Sequence, residues 1–176
     1  MDDIWLPDFL NAQPLGSAVL WSCLAEQLPW QAGEAKFTIE FKGIWSDEPT
    51  RPLRLRWDAG VLRLSPGGAP NRTVTELAAC AVALILSTTL LQAPAQTVAE
   101  VGERFDYWLR GDEGWYGLEV SGTQSVERSE LQQRYREKRR QLLSNTQGLN
   151  GYVVIVGFAT RQIIVSGHNF GEDENE

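Results

Sequence analysis

Two carboxylates, Asp106 and Glu119, stand on either side of a short turn, each inside a run of alternating apolar residues. The first run is Arg104-Phe-Asp-Tyr-Trp-Leu-Arg110, the second is Trp115-Tyr-Gly-Leu-Glu-Val-Ser121, and Gly111-Asp-Glu-Gly114 joins them. A symmetric turn sets Arg110 opposite Trp115 and, counting back, Asp106 opposite Glu119. Directly opposed side chains on one face of an antiparallel pair have Cβ atoms about 4.5–5.5 Å apart. Like charges held that close repel unless a cation, a shared proton or a basic side chain lies between them. The spacing therefore defines a candidate divalent-metal site. Trp108 is expected to face Gly117, leaving room beside the acids for a ligand. The competing reading places both acids on the solvated side of a half-buried hairpin, with Arg104 as a surface partner that contributes little.

Several elements must hold that hairpin. Ala18–Gln27 has helical apolar spacing within a predicted helix over 17–27. Residues 36–44 alternate as a strand, with Phe37, Ile39 and Phe41 on its buried side, and 53–57 and 61–64 form two more around a turn at 58–60. Ser65–Asn71 reads as a linker. Thr73-Val-Thr-Glu76 is a capping box opening a long apolar helix that runs to about Leu91. A short strand at 97–101, the hairpin, and a charged helix over 126–143 follow. Tyr152–Val156 is a continuous apolar run, as in a strand buried on both faces, and 163–165 adds another strand.

Helix, three strands, helix, strand, with an aspartate on the middle strand and an acid on the next, resembles the PD-(D/E)XK nuclease superfamily. The resemblance covers roughly residues 73–158. It implies an α/β fold with a restriction-endonuclease-like core, a mixed sheet flanked by helices. Residues 1–70 become a β-rich N-terminal extension, 71–170 the nuclease-like core and 171–176 an acidic tail. Asp106 and Glu119 then bind Mg²⁺ or Mn²⁺ with the backbone carbonyl of Val120, and Glu76 stands where some members place another acid. Phe105 occupies the position of the name-giving proline, and Ser121 that of the motif lysine. A serine hydroxyl cannot supply the lysine's charge. Lys138 or a neighbouring arginine reaching back from the following helix is one substitute, and Gln124 positioning water is another. The resemblance implies phosphodiester hydrolysis, with Asp106, Glu119 and Ser121 as catalytic residues, in a dimer or in a restriction or phage-defence assembly. The alternative is a catalytically inactive relative serving as an interaction subunit.

The basic residues of the 126–143 helix, Arg134, Arg136, Lys138, Arg139 and Arg140, are candidate nucleic-acid contacts. The same charges also fit a solvated surface helix with Glu130 and Glu137 paired to nearby arginines. A net charge of −7 over 176 residues argues against a nonspecific nucleic-acid coat protein. Two distant cysteines, Cys23 and Cys80, suggest neither a zinc site nor a disulfide framework, and point to a reducing, cytoplasmic setting. No basic segment opens the chain, so a secretory signal is not expected. The uncharged run 77–92 is expected to be a buried helix rather than a membrane span. His168, the sole histidine, is expected in a surface loop. The tryptophans at 5, 21, 30, 45 and 57 read as core or interface anchors for a protein partner.

Overall fold

A computed structural model of the chain describes residues 2–10, 17–43, 49–59, 71–145 and 147–170. Strand β1 (Asp2–Trp5) and helices α1 (Pro7–Leu10) and α2 (Ser17–Gln27) come first. Strands β2 (Glu34–Gly43) and β3 (Thr50–Arg56) follow, then helix α3 (Asn71–Thr89) and strands β4 (Ala95–Val98), β5 (Tyr107–Gly111) and β6 (Gly114–Thr123). Helix α4 (Arg128–Leu143), β7 (Gly151–Gly157) and β8 (Gln162–His168) complete the chain. All eight strands form one mixed sheet in the order β1-β3-β2-β8-β7-β6-β5-β4. Strands β1, β2 and β3 thus extend the sheet of the rest, because β2 pairs in parallel with β8.

The sheet is covered unequally. The large core on one face joins α2 and α3 to β2, β3 and the sheet centre; the smaller one on the other face lies under α4. Strand β7 explains why its sequence is apolar throughout. Val154 and Val156 point into the large core, and Val153 and Ile155 into the small one, all fully buried. Helix α3 is long and apolar enough to cross a membrane by length and composition alone, yet most of it is buried inside the fold. It is a core helix packed between α2 and the sheet.

Several expectations shift. The β5–β6 register pairs Arg110 with Trp115, as the symmetric turn requires. β5, however, begins at Tyr107, so Asp106 lies in the chain entering the strand. Arg104 just before it has a left-handed backbone, φ 69°. That kink breaks the strand alternation, and Phe105 packs in the small core beside Trp108 instead of opposite it. The room expected above Gly117 is filled, since a Cβ there would meet the Phe105 ring at 3.0 Å. β4 begins two residues earlier than expected. Helix α3 starts at Asn71, which puts Thr73 and Glu76 inside the helix and dissolves the capping box. His168 is the last residue of β8 and buried, with Ser166 Oγ 2.8 Å from its Nε2, rather than in a surface loop. The expected strand at 61–64, most of the linker at 65–71, Trp45 and the acidic tail fall outside the described residues.

Candidate functional site

The site forms where one strand leaves another. β5 pairs with β6 only as far as Tyr107 and Leu118. Beyond that point the β5 side of β6 has no strand partner among the described residues, while its other edge stays paired to β7. Carboxylates take over there. Asp106 Oδ2 accepts the Val120 N–H at 2.7 Å, and Glu76 Oε2 accepts the Gly122 N–H at 2.8 Å. The N–H and C=O of one strand residue point to the same edge, so the Val120 carbonyl also faces this side.

Local sequence places each group. The Asp106 N–H donates to the Leu118 carbonyl at 2.8 Å and the Asp106 carbonyl accepts from the Ala99 N–H at 2.9 Å, which anchors its backbone on both sides. Glu76 arrives on α3 because Gly122 lets that helix approach β6. A Cβ at Gly122 would lie 2.5 Å from the Thr75 carbonyl oxygen and 2.9 Å from the Ala79 methyl. Helix α4 crosses the opposite face with Leu131 and Leu142 buried and Tyr135 half-buried. Lys138 shares that inward stripe, at the spacing that makes residues four and seven apart neighbours on a helix.

Lys138 is the residue that joins the acids. Its Nζ lies 2.5 Å from Glu119 Oε2 and 3.7 Å from Asp106 Oδ2. Glu119 is 0% exposed, and its second oxygen, Oε1, is buried with no hydrogen-bond partner among the described residues. Burial, with the Asp106 charge second, pushes the Glu119 carboxyl up to about 8, against the opposing pull of Lys138. Burial alone would lower the Lys138 ammonium; the charges of Asp106 and Glu119 outweigh it and raise its pKa. A cleft of about 390 Å³ opens onto Asp106, Val120 and Lys138 between α3 and α4.

The other expected site residues divide. Ser121 Oγ lies 3.3 Å from Glu76 Oε1 and accepts from Arg134 Nη1 at 3.0 Å. Among the described residues it makes no hydrogen bond to Asp106, Glu119 or Lys138, so a direct catalytic contact with the acid pair is not formed. Arg134 turns into the cleft, with Nη1 on Glu76 at 3.1 Å and Nε on Glu130 at 3.0 Å. Arg136 and Arg140 are exposed on α4 and Arg139 is half-exposed. Of the five basic residues, Lys138 and Arg134 are held by acids, while Arg136 and Arg140 are open to solvent. Glu130 pairs with an arginine as expected, whereas Glu137 accepts from Gln133.

Among the described residues no cluster of three or more aspartate, glutamate, histidine or cysteine side chains is arranged to hold a metal. The donor set is narrower: two carboxylates and a strand-edge carbonyl. That set still fits Mg²⁺, which keeps several waters and is held by one or two protein carboxylates together with substrate phosphates. Among the described residues Glu119 Oε1 receives no donor, and a cation there would replace the proton through which Glu119 otherwise bonds to Asp106. No protein-family model matches the chain, and neither a curated protein nor a solved structure shows similarity to it.

Proposed function

We propose that the chain is a metal-dependent, nuclease-like domain of restriction-endonuclease-like fold that hydrolyses phosphodiester bonds. The observation that carries this reading is the convergence of Asp106, Glu119 and Lys138 at the open edge of β6. They sit on the succession α3, β4, β5, β6, α4, β7, in which β6 and β7 run parallel across α4. Asp106, Glu119 and the Val120 carbonyl are the groups that would hold Mg²⁺ or Mn²⁺. When bound, the ion supplies charge stabilisation to phosphoryl oxygens and an activated water.

The chain's own residues supply the rest. Lys138 brings from α4 the positive charge that Ser121 cannot provide, beside both carboxylates, where it orients a nucleophilic water and stabilises developing negative charge. The small core under α4 shields one side of Glu119 from solvent, so electrostatic interactions there act at low effective dielectric. Nucleic acid is the substrate class. Assembly with a protein partner or a second copy, in a cytoplasmic restriction or phage-defence setting, is what the family resemblance suggests.

One observation favours a second reading, an inactive relative acting as an interaction subunit: Lys138 lies against both acids, and with Glu119 holding its proton near neutral pH the cluster is satisfied without a metal. Cleavage of plasmid and single-stranded DNA with Mg²⁺ or Mn²⁺ separates the two. The nuclease reading expects cleavage that Asp106→Asn and Glu119→Gln each abolish and that Lys138→Met lowers by about 10²–10³-fold. Cleavage indifferent to all three substitutions removes this site from the reaction. Absence of cleavage by the folded native chain favours the interaction subunit.

A further inference from the structure

Beside the acid pair, three donors converge on one carboxylate. The Gly122 N–H, the Ser121 hydroxyl and the Arg134 guanidinium all reach the Glu76 side chain, at 2.8, 3.3 and 3.1 Å. A strand-edge amide, a hydroxyl and an arginine are the donor types that bind phosphate oxygens. Ser121, Arg134 and Glu76 line the same cleft as Asp106 and Lys138, and the Gly122 amide reaches it through the Glu76 carboxylate. Glu76 itself is the member that can leave. It enters from α3 on a flexible stem, and its side chain is 33% exposed.

We propose that this is an anion subsite for a phosphate group of the nucleic acid, and that Glu76 is its built-in occupant, displaced when the substrate enters. The inference rests on the nuclease reading for its expectation that a phosphodiester chain passes this point. A diester phosphate carries the same unit negative charge as the carboxylate it replaces, so the donors lose no electrostatic partner. The leaving carboxylate has somewhere to go. Arg72 lies four residues before Glu76 on α3, where helical side chains become neighbours, and it lines the same cleft. Among the described residues Arg72 makes no ion pair. Arg134 stays in place after the exchange, because its Nε remains on Glu130, which Thr123 Oγ1 also holds at 2.8 Å.

The proposal has a sign opposite to the alternative in which Glu76 is a third metal-binding acid. Removing an internal competitor strengthens anion binding; removing a metal ligand weakens metal-dependent binding and adds nothing without metal. Binding is measured in EDTA by fluorescence anisotropy of a labelled oligothymidylate, and by calorimetry with inorganic phosphate. If the carboxylate fills the subsite about nine-tenths of the time, Glu76→Ala binds the oligonucleotide on the order of tenfold more tightly than the native chain. Glu76→Gln, which keeps the acceptor for Gly122 and so preserves the local fold, shows a smaller gain in the same direction. Adding Ser121→Ala and Arg134→Gln to Glu76→Ala cancels the gain. A gain with the oligonucleotide alone assigns the subsite to a backbone phosphodiester, and a gain with inorganic phosphate as well assigns it to any phosphate group. Unchanged or weaker binding in both Glu76 variants, with unfolding transitions showing them folded, overturns the proposal. The measurement needs neither metal nor cleavage, so it fails or succeeds independently of the nuclease assay.

Discussion

Replacing Glu119 by glutamine is expected to stabilise the metal-free protein at neutral and alkaline pH while destroying its proposed activity. The carboxyl is fully buried, one oxygen is paired to Lys138 and the other receives no donor among the described residues, and its pKa is pushed up to about 8 from an ordinary value of 4.5. Below the ordinary value both folded and unfolded chains hold the proton, and stability does not depend on this group. Between 4.5 and about 8 the unfolded chain ionises freely while the folded one retains its proton, so rising pH favours unfolding. The slope is about 1.4 kcal/mol per pH unit, levelling off above the folded value. Lys138, whose pKa is raised, stays charged throughout this window and adds no slope of its own.

From about pH 5 to about pH 8 the accumulated loss is on the order of 3 kcal/mol, a large share of the roughly 5–15 kcal/mol that holds a domain folded. Glutamine cannot ionise, so the variant lacks this loss. Urea unfolding of both proteins in EDTA across that range should give stabilities that diverge as pH rises, with the variant ahead at the alkaline end. Adding Mg²⁺ at the alkaline end should recover stability in the native chain alone, since only its carboxylate rewards ionisation with a bound cation. Parallel pH profiles, or a native chain that gains on the variant as pH rises, would refute the reasoning.

Other outcomes follow from the same geometry. Lys138→Met should lower cleavage by about 10²–10³-fold, the usual cost of removing one group that stabilises transition-state charge. Its stability penalty should be larger at alkaline pH than at about pH 5, where Glu119 is already protonated, and urea titrations at the two pH values check this. Gly122→Ala should cost about 1–3 kcal/mol by forcing α3 away from β6, read as a lowered unfolding midpoint with weakened cleavage. Cys80, whose thiol burial pushes up to about 12, and buried Cys23 should resist a thiol-reactive disulfide at about pH 8 until the protein is unfolded, because the thiolate is the reactive form.

The hairpin was legible because a turn closed by two glycines sets register by counting, and the central strand because only a position buried on both faces tolerates Val-Val-Ile-Val. Helix α2 matched its periodicity end to end. The acid pair was legible as residues that meet, but not how they meet. Alternation assigns faces only while a chain remains a strand, and the left-handed Arg104 ends that rule just before Asp106. The Asp106 carboxylate therefore caps a strand-edge amide instead of standing squarely opposite Glu119. Lys138 was legible as a residue able to reach back, and its place in the apolar stripe of α4 carries the reason: a lysine there must find a buried partner. Glu76 had no local signal. Its contact with β6 spans 46 residues and depends on the missing side chain of Gly122. His168 misled because the apolar run of β8 stops at Val165, while the strand continues through small and polar residues buried at the sheet centre.

The most direct test is to soak crystals of the native chain in MnCl₂ above about pH 8, where the Glu119 carboxyl is ionised, and to record anomalous scattering. The account predicts a peak shared by the carboxylates of Asp106 and Glu119, absent from Glu119→Gln crystals treated identically. A map without density there, with Lys138 still bound to both acids, would contradict it.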